Sequence, residues 1–475
     1  MPTIKPLQTK KYDVIVAGAG MAGIACALRL DYLGLKVALL EKHSVIGGLN
    51  SFYQRVKKNE LGERIGIRKF DVGLHALTNF ARKGEKRKPL LKILRQLRIR
   101  YDDLCLKEQS FSQSWVGEKK LNFSNDFSLL QAQVADNFPE HVQEFSELVN
   151  LVKKSEDLNL EESEFVSAKK FLQSKISNKD LVELILFPTL CYGSAWENDM
   201  DLSQFNILFR SLYLEGFSRP LGGIRTIFNI LKKKLNDSQI DVFMKTGVEK
   251  ILKEDGHCVV KAAGQDFKAN QVFSSLGLVE TQELITGESR KEDIGKMTFV
   301  EVQLFFKDQV KEKGIPTVLF YSENENVKYE GPKTCFDKKS AIICFPNNYE
   351  EYEEDEGIVR LTFMANFESW KKLDKKSYEA QKKEVELYAL SLVKKLFPQI
   401  QQKTTYTDTF TPLTISKFTS HKKGTVYGSP NKKKNGKFGH SKISLIGTDQ
   451  GFLGVTGSML SGISLANKYA MDKVL

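Results

Sequence analysis

Gly18, Gly20 and Gly23, with Glu41 downstream, are the residues whose types and spacing point most directly to chemistry. At a strand-to-helix turn, Gly18 permits a sharp bend, Gly20 lets a pyrophosphate approach the backbone, and Gly23 lets the helix lie close on the strand. Met21 and Ala22 then open that helix, so its first N–H groups and positive dipole end face the phosphates. Glu41 stands about twenty residues beyond the turn, where a carboxylate accepts hydrogen bonds from ribose hydroxyls. This is the chemistry of dinucleotide binding, and the motif alone leaves NAD and FAD both open.

Further residues could reach the same ligand. Lys42 follows Glu41, and Gly47-Gly48 with Leu49 and Asn50 forms a loop whose double glycine again permits close approach. Phe70-Asp71-Val72-Gly73 runs on through Leu74 to His75. Near the C-terminal end, Gly447, Asp449, Gly454, Val455 and Gly457 form a glycine-rich turn between an apolar strand and an apolar helix. That turn is a second ligand-contacting unit, and the two ends together favour FAD. Elsewhere no nucleophile triad stands out. The six cysteines, Cys26, Cys105, Cys191, Cys258, Cys335 and Cys344, have no paired spacing for zinc or redox chemistry, which suits a reduced setting. The acid run from Glu350 to Glu356 lacks the spacing of a metal cage and reads as a solvated loop.

Positioning these residues takes particular elements. Val14 to Ala17 is a short apolar run with no wet face, as in a parallel strand covered on both sides. Gln131 to Glu215 reads mainly as helices, including the apolar run Leu181 to Leu190 that ends in Tyr192-Gly193; this insertion is expected to cap a substrate cavity. Arg219-Pro220-Leu221-Gly222-Gly223 opens another helix, and strands around Val242, Val248 and Val272 return to the nucleotide fold, with a hairpin near Asp255-Gly256. Met297 to Phe306, Thr317 to Tyr321, Ser340 to Phe345 and Ile358 to Ala365 predict an antiparallel sheet under the cap. The expected class is α/β: a discontinuous Rossmann-type FAD-binding domain from 1–80, 216–285 and 406–475, with an inserted α+β substrate domain from 81–215 and 286–405.

The formal net charge of +12 asks for a partner. Arg82 to Arg100 is strongly basic, with Leu90, Leu91, Leu94 and Leu97 at helical spacing. Such a helix can lie on an anionic bilayer, or pack its leucines on the domain below. The lysines of 422–442, in a loop mobile by composition, could join it as one cationic face. Nucleic acid ranks last, because no recognition motif accompanies the charge. Met1 to Lys11 is polar and basic, and no apolar stretch approaches ~20 residues, so a cytoplasmic chain with peripheral membrane contact is expected.

The glycine turn, the Glu41-Lys42 pair before Gly47-Gly48, and Phe70-Asp71-Val72-Gly73 together resemble the N-terminal third of phytoene desaturases, carotenoid isomerases and retinol saturases, within the wider amine oxidase-like flavoproteins. Thr411-Pro412 and Tyr427-Gly428 resemble a pattern near the C-terminal end of the same family. Many members carry a basic residue directly after the double glycine, where this chain has Leu49 and Asn50. The resemblance implies FAD, a backbone contact at Val248, a contact at the Asp449 position with the ribityl-pyrophosphate region, and close approach of the following glycines to the isoalloxazine ring. It implies too that His75 lies in a loop beside that ring, where it could donate to the flavin or shuttle a proton. The implied function is hydride chemistry on carbon–carbon bonds of a carotenoid- or retinoid-like isoprenoid. Alternatives are an amine- or porphyrinogen-oxidising flavoenzyme of the same fold, and a non-enzymatic flavin- or lipid-binding scaffold.

Overall fold

A computed structural model describes residues 10–58, 61–73, 75–155, 160–254 and 256–474. A seven-stranded sheet is built around Lys10–Ala17, which pairs in parallel with Val37–Leu40 on one side and Gln265–Ser274 on the other. Asp241–Phe243 extends the first side in parallel, and Ile443–Leu445 joins Gln265–Ser274 in parallel. An antiparallel pair, Val248–Glu254 and His257–Ala262, completes the sheet; Asp255 between them lies outside the described residues. One sheet thus draws strands from the beginning, middle and end of the chain. Its apolar runs follow from having both faces covered. Val14, Val16 and Leu39 pack with the helices Met21–Tyr32, Ile224–Asn236 and Gly454–Val474, while Ile15, Ala38 and Leu40 pack with Ile251, Val260 and Phe267 on the other side.

The second large sheet runs Thr404–Phe410, Thr298–Phe306, Gly357–Ala365, Ser340–Cys344, Val318–Ser322, Ser112–Val116, Lys119–Phe123. It is antiparallel except where Val318–Ser322 meets Ser112–Val116. One face lies under the cap helices, including Lys179–Gly193 and Leu202–Phe209. The other packs on the long helix Lys375–Leu396 through Val385, Ala389, Leu392 and Val393. Thr404–Phe410 belongs wholly to this sheet, so a domain boundary at 405/406 would cut a strand; the return to the nucleotide fold comes after Phe410.

Three surface expectations are corrected. The helix expected over Arg82 to Arg100 is confined to Pro89–Gln96, and its Leu90, Ile93 and Leu94 are buried, with Leu97 beyond it, against Leu77, Ile227, Val455 and Met459. Its apolar side is spent on the domain below, leaving only the cationic side outward. The 422–442 segment is knitted into the fold rather than free: Lys432 pairs with Asp449, Lys434 with Asp201 and Lys422 with Glu283, and the Leu445 N–H donates to Gly436 O over 2.8 Å. The acid run is solvated only in part, since Glu356 turns inward onto Arg68 at 2.7 Å and Lys57 at 3.1 Å. Among the described residues no helix is long and apolar enough to cross a membrane, no His, Cys, Asp and Glu group is arranged to hold a metal ion, and the six cysteines are unbridged.

Candidate functional site

The glycine turn adopts the geometry its sequence requires. Gly18 has φ +93°, and a Cβ on Gly23 would stand 1.9 Å from Gly18 O, so nothing larger than glycine lets the helix lie so close. The helix Met21–Tyr32 starts at Gly20 without a side-chain cap, which leaves its first N–H groups for an anion. Ala22 also bears the close approach of the terminal helix: a Cβ on Gly462 would lie 2.2 Å from Ala22 O.

The other predicted loops converge on this turn. Gly20 and Gly47 form a parallel bridge, the Gly47 N–H donates to Ala19 O over 2.7 Å, and Gly48 lies against Gly20. Gly73 is pressed on Leu49 and Asn50, where a Cβ would be 2.2 Å from Leu49 O. Gly447 meets Ala22, and Gly454 faces Thr78. Gly48, Gly73 and Gly454 present exposed backbone, and Gly457 and Val455 follow in the first turns of the last helix. Glu41 accepts from the Ala19 and His43 N–H groups, each over 2.8 Å, with lone pairs left on both oxygens. Thr246 donates to Glu41 O over 2.7 Å, which sets Val248 near the same end.

Two predicted residues have side-chain partners within the chain. Asp449, 3% exposed, accepts from the Leu278 and Ser429 N–H groups over 2.6 and 2.7 Å and lies 3.4 Å from Lys432 Nζ. Its carboxylate ties the terminal turn to two other loops. Lys42 donates to Ser420 Oγ and turns along the surface. Leu74 lies outside the described residues.

His75 sits in a buried polar cluster that sequence reasoning missed. Its Nε2 is 3.1 Å from Glu301 Oε2 and 3.3 Å from Thr362 Oγ1. Arg360 donates to Glu301 Oε1 through Nε and Nη2 over 2.9 and 2.6 Å, and Gln303 adds a third bond over 3.0 Å. Burial, reinforced by Arg360, pushes the imidazole below its ordinary range against the pull of Glu301. Burial alone would raise Glu301, but Arg360 and His75 outweigh it and hold the carboxyl at about 2. The result is a neutral imidazole on an ionised carboxylate. Alongside, Asp71 pairs with Arg219 at 2.5 Å and Arg225 at 3.2 Å, and it occupies the space that a Cβ on Gly223 would need. Asp71 is 148 and 154 residues from Arg219 and Arg225, His75 is 226 from Glu301, and Arg360 is 59 from Glu301, and no local pattern announces them.

A split parallel sheet with a glycine phosphate cradle, a carboxylate at the ribose end and a second glycine turn facing the first defines an FAD-dependent oxidoreductase. The open backbone at Gly48, Gly73 and Gly454, the uncapped helix start and the unfilled lone pairs of Glu41 fit FAD. Residues 21–468 match the family of flavin containing amine oxidoreductases, and the chain belongs to it. Curated relatives include prolycopene isomerase of Arabidopsis thaliana, 24% identical over 463 residues that cover 88% of this chain and 74% of the relative, and that of Daucus carota, 24% identical over 89% and 72%. Among solved structures, cyclohexylamine oxidase from Brevibacterium oxydans has a TM-score of 0.63 at 14% identity over 98% of this chain and 100% of that one. An oxidoreductase from Methanosarcina mazei has a TM-score of 0.62 at 16% identity over 96% and 100%. Both structures share the fold.

Proposed function

We propose that the enzyme acts on carbon–carbon bonds of an apolar isoprenoid, by desaturation, saturation or isomerisation, at the seam between the cap and the two glycine turns. The observation that carries this reading is the wall of that seam. Tyr192 stacks on Phe217 at 5.3 Å and lies 5.5 Å from Phe320, Gly193 packs on Leu453 of the terminal turn, and Ala76 joins the same hydrophobic cluster next to His75. The carboxylates nearby are matched, Glu301 by Arg360 and Asp71 by Arg219, so neither is spare to hold a substrate ammonium. The likeness to prolycopene isomerases supports the same substrate class.

When bound, FAD supplies hydride exchange with a substrate carbon. The chain's own residues bind and orient it, and the cap excludes water. Glu301 accepts a proton-bearing Nε2 and leaves Nδ1 of His75 as an acceptor, which suits the imidazole to take or return a proton. Cys344 Sγ and Tyr349 OH donate to the backbone carbonyl of His75 and fix the loop. Anaerobic titration of the reconstituted flavin with polyenes and with amines tests this reading: bleaching by a polyene, or reoxidation by one, is expected. Bleaching by amines alone would establish amine oxidation instead. The exposed basic side of 82–100 supports a second part of the proposal, peripheral electrostatic contact with an anionic bilayer.

A further inference from the structure

The tyrosines under the cap are satisfied with one exception. Tyr213 donates to Ile185 O over 2.9 Å, Tyr329 to Ser194 O over 2.9 Å, Tyr349 to His75 O over 3.1 Å, and Tyr427 to Cys191 O. Tyr192 has no such acceptor: its hydroxyl is buried and without a hydrogen-bond partner among the described residues. A buried orphan donor costs about 1–3 kcal/mol, so a core rich in backbone acceptors would be expected to answer it. The ring cannot easily turn to find one, because Phe217 stacks on one side at an interplanar angle of 16° and Phe320 closes another. The ring is itself only partly buried, and the next residue, Gly193, touches Leu453 of the terminal turn. A second donor at the same seam is also unanswered: Gln204 Nε2, from the cap helix Leu202–Phe209, next to Gly451.

We infer that Tyr192 is a specificity-determining residue whose hydroxyl donates to an oxygen atom of the substrate. The preferred substrate is then an isoprenoid alcohol or carbonyl compound rather than a pure hydrocarbon. This rests on the isoprenoid reading above and deepens it. A ligand oxygen at Tyr192 satisfies the orphan donor, whereas a hydrocarbon of the same length buries it unpaired. A protonated amine can donate to the phenol oxygen but offers no acceptor, so it leaves the O–H donor of Tyr192 unanswered.

The test uses the FAD-loaded protein under anaerobic conditions with two matched probes, all-trans-retinol and the same polyene lacking the hydroxyl, each titrated against the flavin absorption spectrum. Wild type is expected to bind the alcohol about tenfold more tightly or better. Tyr192→Phe, which keeps the ring and its stacking, should bring the two affinities within about twofold by weakening the alcohol alone. An unchanged preference in Tyr192→Phe, or equal binding of both probes by wild type, overturns the inference and leaves the isoprenoid reading standing. A Tyr192→Phe variant that loses flavin or shifts its spectrum while keeping the preference assigns the hydroxyl to the cofactor and likewise overturns it. If wild type binds neither probe, the isoprenoid reading falls and this inference with it.

Discussion

His75 is held by charges on both sides of it, and the balance has a sign. Its ordinary value lies near ~6.5, and burial with Arg360 lowers it in the folded protein. The unfolded chain therefore binds more protons than the folded one between the lowered value and ~6.5. The contribution to stability is fully present above ~6.5 and is lost as pH falls through the lowered folded value. The same neutral form is the one able to accept a proton, so the rate of flavin reduction should sit on a plateau at neutral pH and fall only as pH drops through the lowered folded value. Stopped-flow flavin reduction followed from pH 8 down to the onset of acid unfolding measures this, and a rate independent of pH over that whole range would remove His75 from proton transfer. Replacing the imidazole by His75→Ala should lower the rate about 10² to 10⁴-fold with flavin content unchanged, and should abolish that acid limb. Loss of flavin in step with activity would show that the side chain only holds the loop.

At the scale of elements, Asp71 fastens three of them: the strand Arg64–Asp71, the strand Phe217–Pro220 through Arg219, and the helix Ile224–Asn236, whose first N–H it accepts over 3.3 Å. Asp71→Asn would leave the buried Arg219 charge short of its counter-ion and should cost about 3–5 kcal/mol in urea unfolding of the FAD-loaded protein. A change below about 1 kcal/mol would mean that the other partners of Arg219, among them Tyr352 at 3.2 Å from its Nε, suffice to hold the guanidinium. The helix–turn contact gives a second case. Gly23→Ala puts a methyl 1.9 Å from Gly18 O, so the helix must move off the strand, and destabilisation of at least about 2 kcal/mol with loss of bound FAD is expected in thermal unfolding and flavin release. These two cases also separate what was legible in the sequence from what was not. Gly18, Gly20, Gly23 and Glu41 could be read because a strand, a phosphate turn and a helix are local, with the requirement written into consecutive residues. The strands at Thr298–Phe306, Val318–Ser322, Ser340–Cys344 and Gly357–Ala365 could be read for the same reason, from short apolar or alternating runs. Asp71–Arg219 and His75–Glu301–Arg360 could not, because each closes over a long loop and neither partner is unusual in its own neighbourhood. For Asp449 the terminal turn was legible but the partners of its carboxylate were not, because the two N–H groups that it accepts come from Leu278 and Ser429, outside its own motif.

For the whole molecule, the +12 charge is distributed over a surface whose most basic short segment is 82–100, now without its apolar side. Arg82, Lys83, Lys86, Arg87, Arg95, Arg98 and Arg100 are exposed, while the leucines that would have entered a bilayer are under the terminal helix instead. Arg82 and Lys83 lie on Glu108 and Asp102, and both pairs are exposed enough to contribute little. Attachment to a membrane can then rest on Coulomb attraction alone, at about 1 kcal/mol for each basic side chain near an anionic surface. The 82–100 segment offers no apolar side to persist at high salt. Sedimentation with vesicles containing a third phosphatidylserine should show binding that weakens steeply between low and physiological ionic strength, as the Debye length shortens from ~30 Å at 0.01 M to ~8 Å at 0.15 M. Removing two charges with Lys86→Gln and Arg95→Gln should weaken it about thirtyfold at fixed salt, which is ~2 kcal/mol. Neither side chain supports the core, so flavin content and unfolding should not change. Binding that survives 0.5 M salt would require an apolar contact elsewhere on the surface, and binding insensitive to both changes would end the membrane proposal while leaving the flavin chemistry untouched.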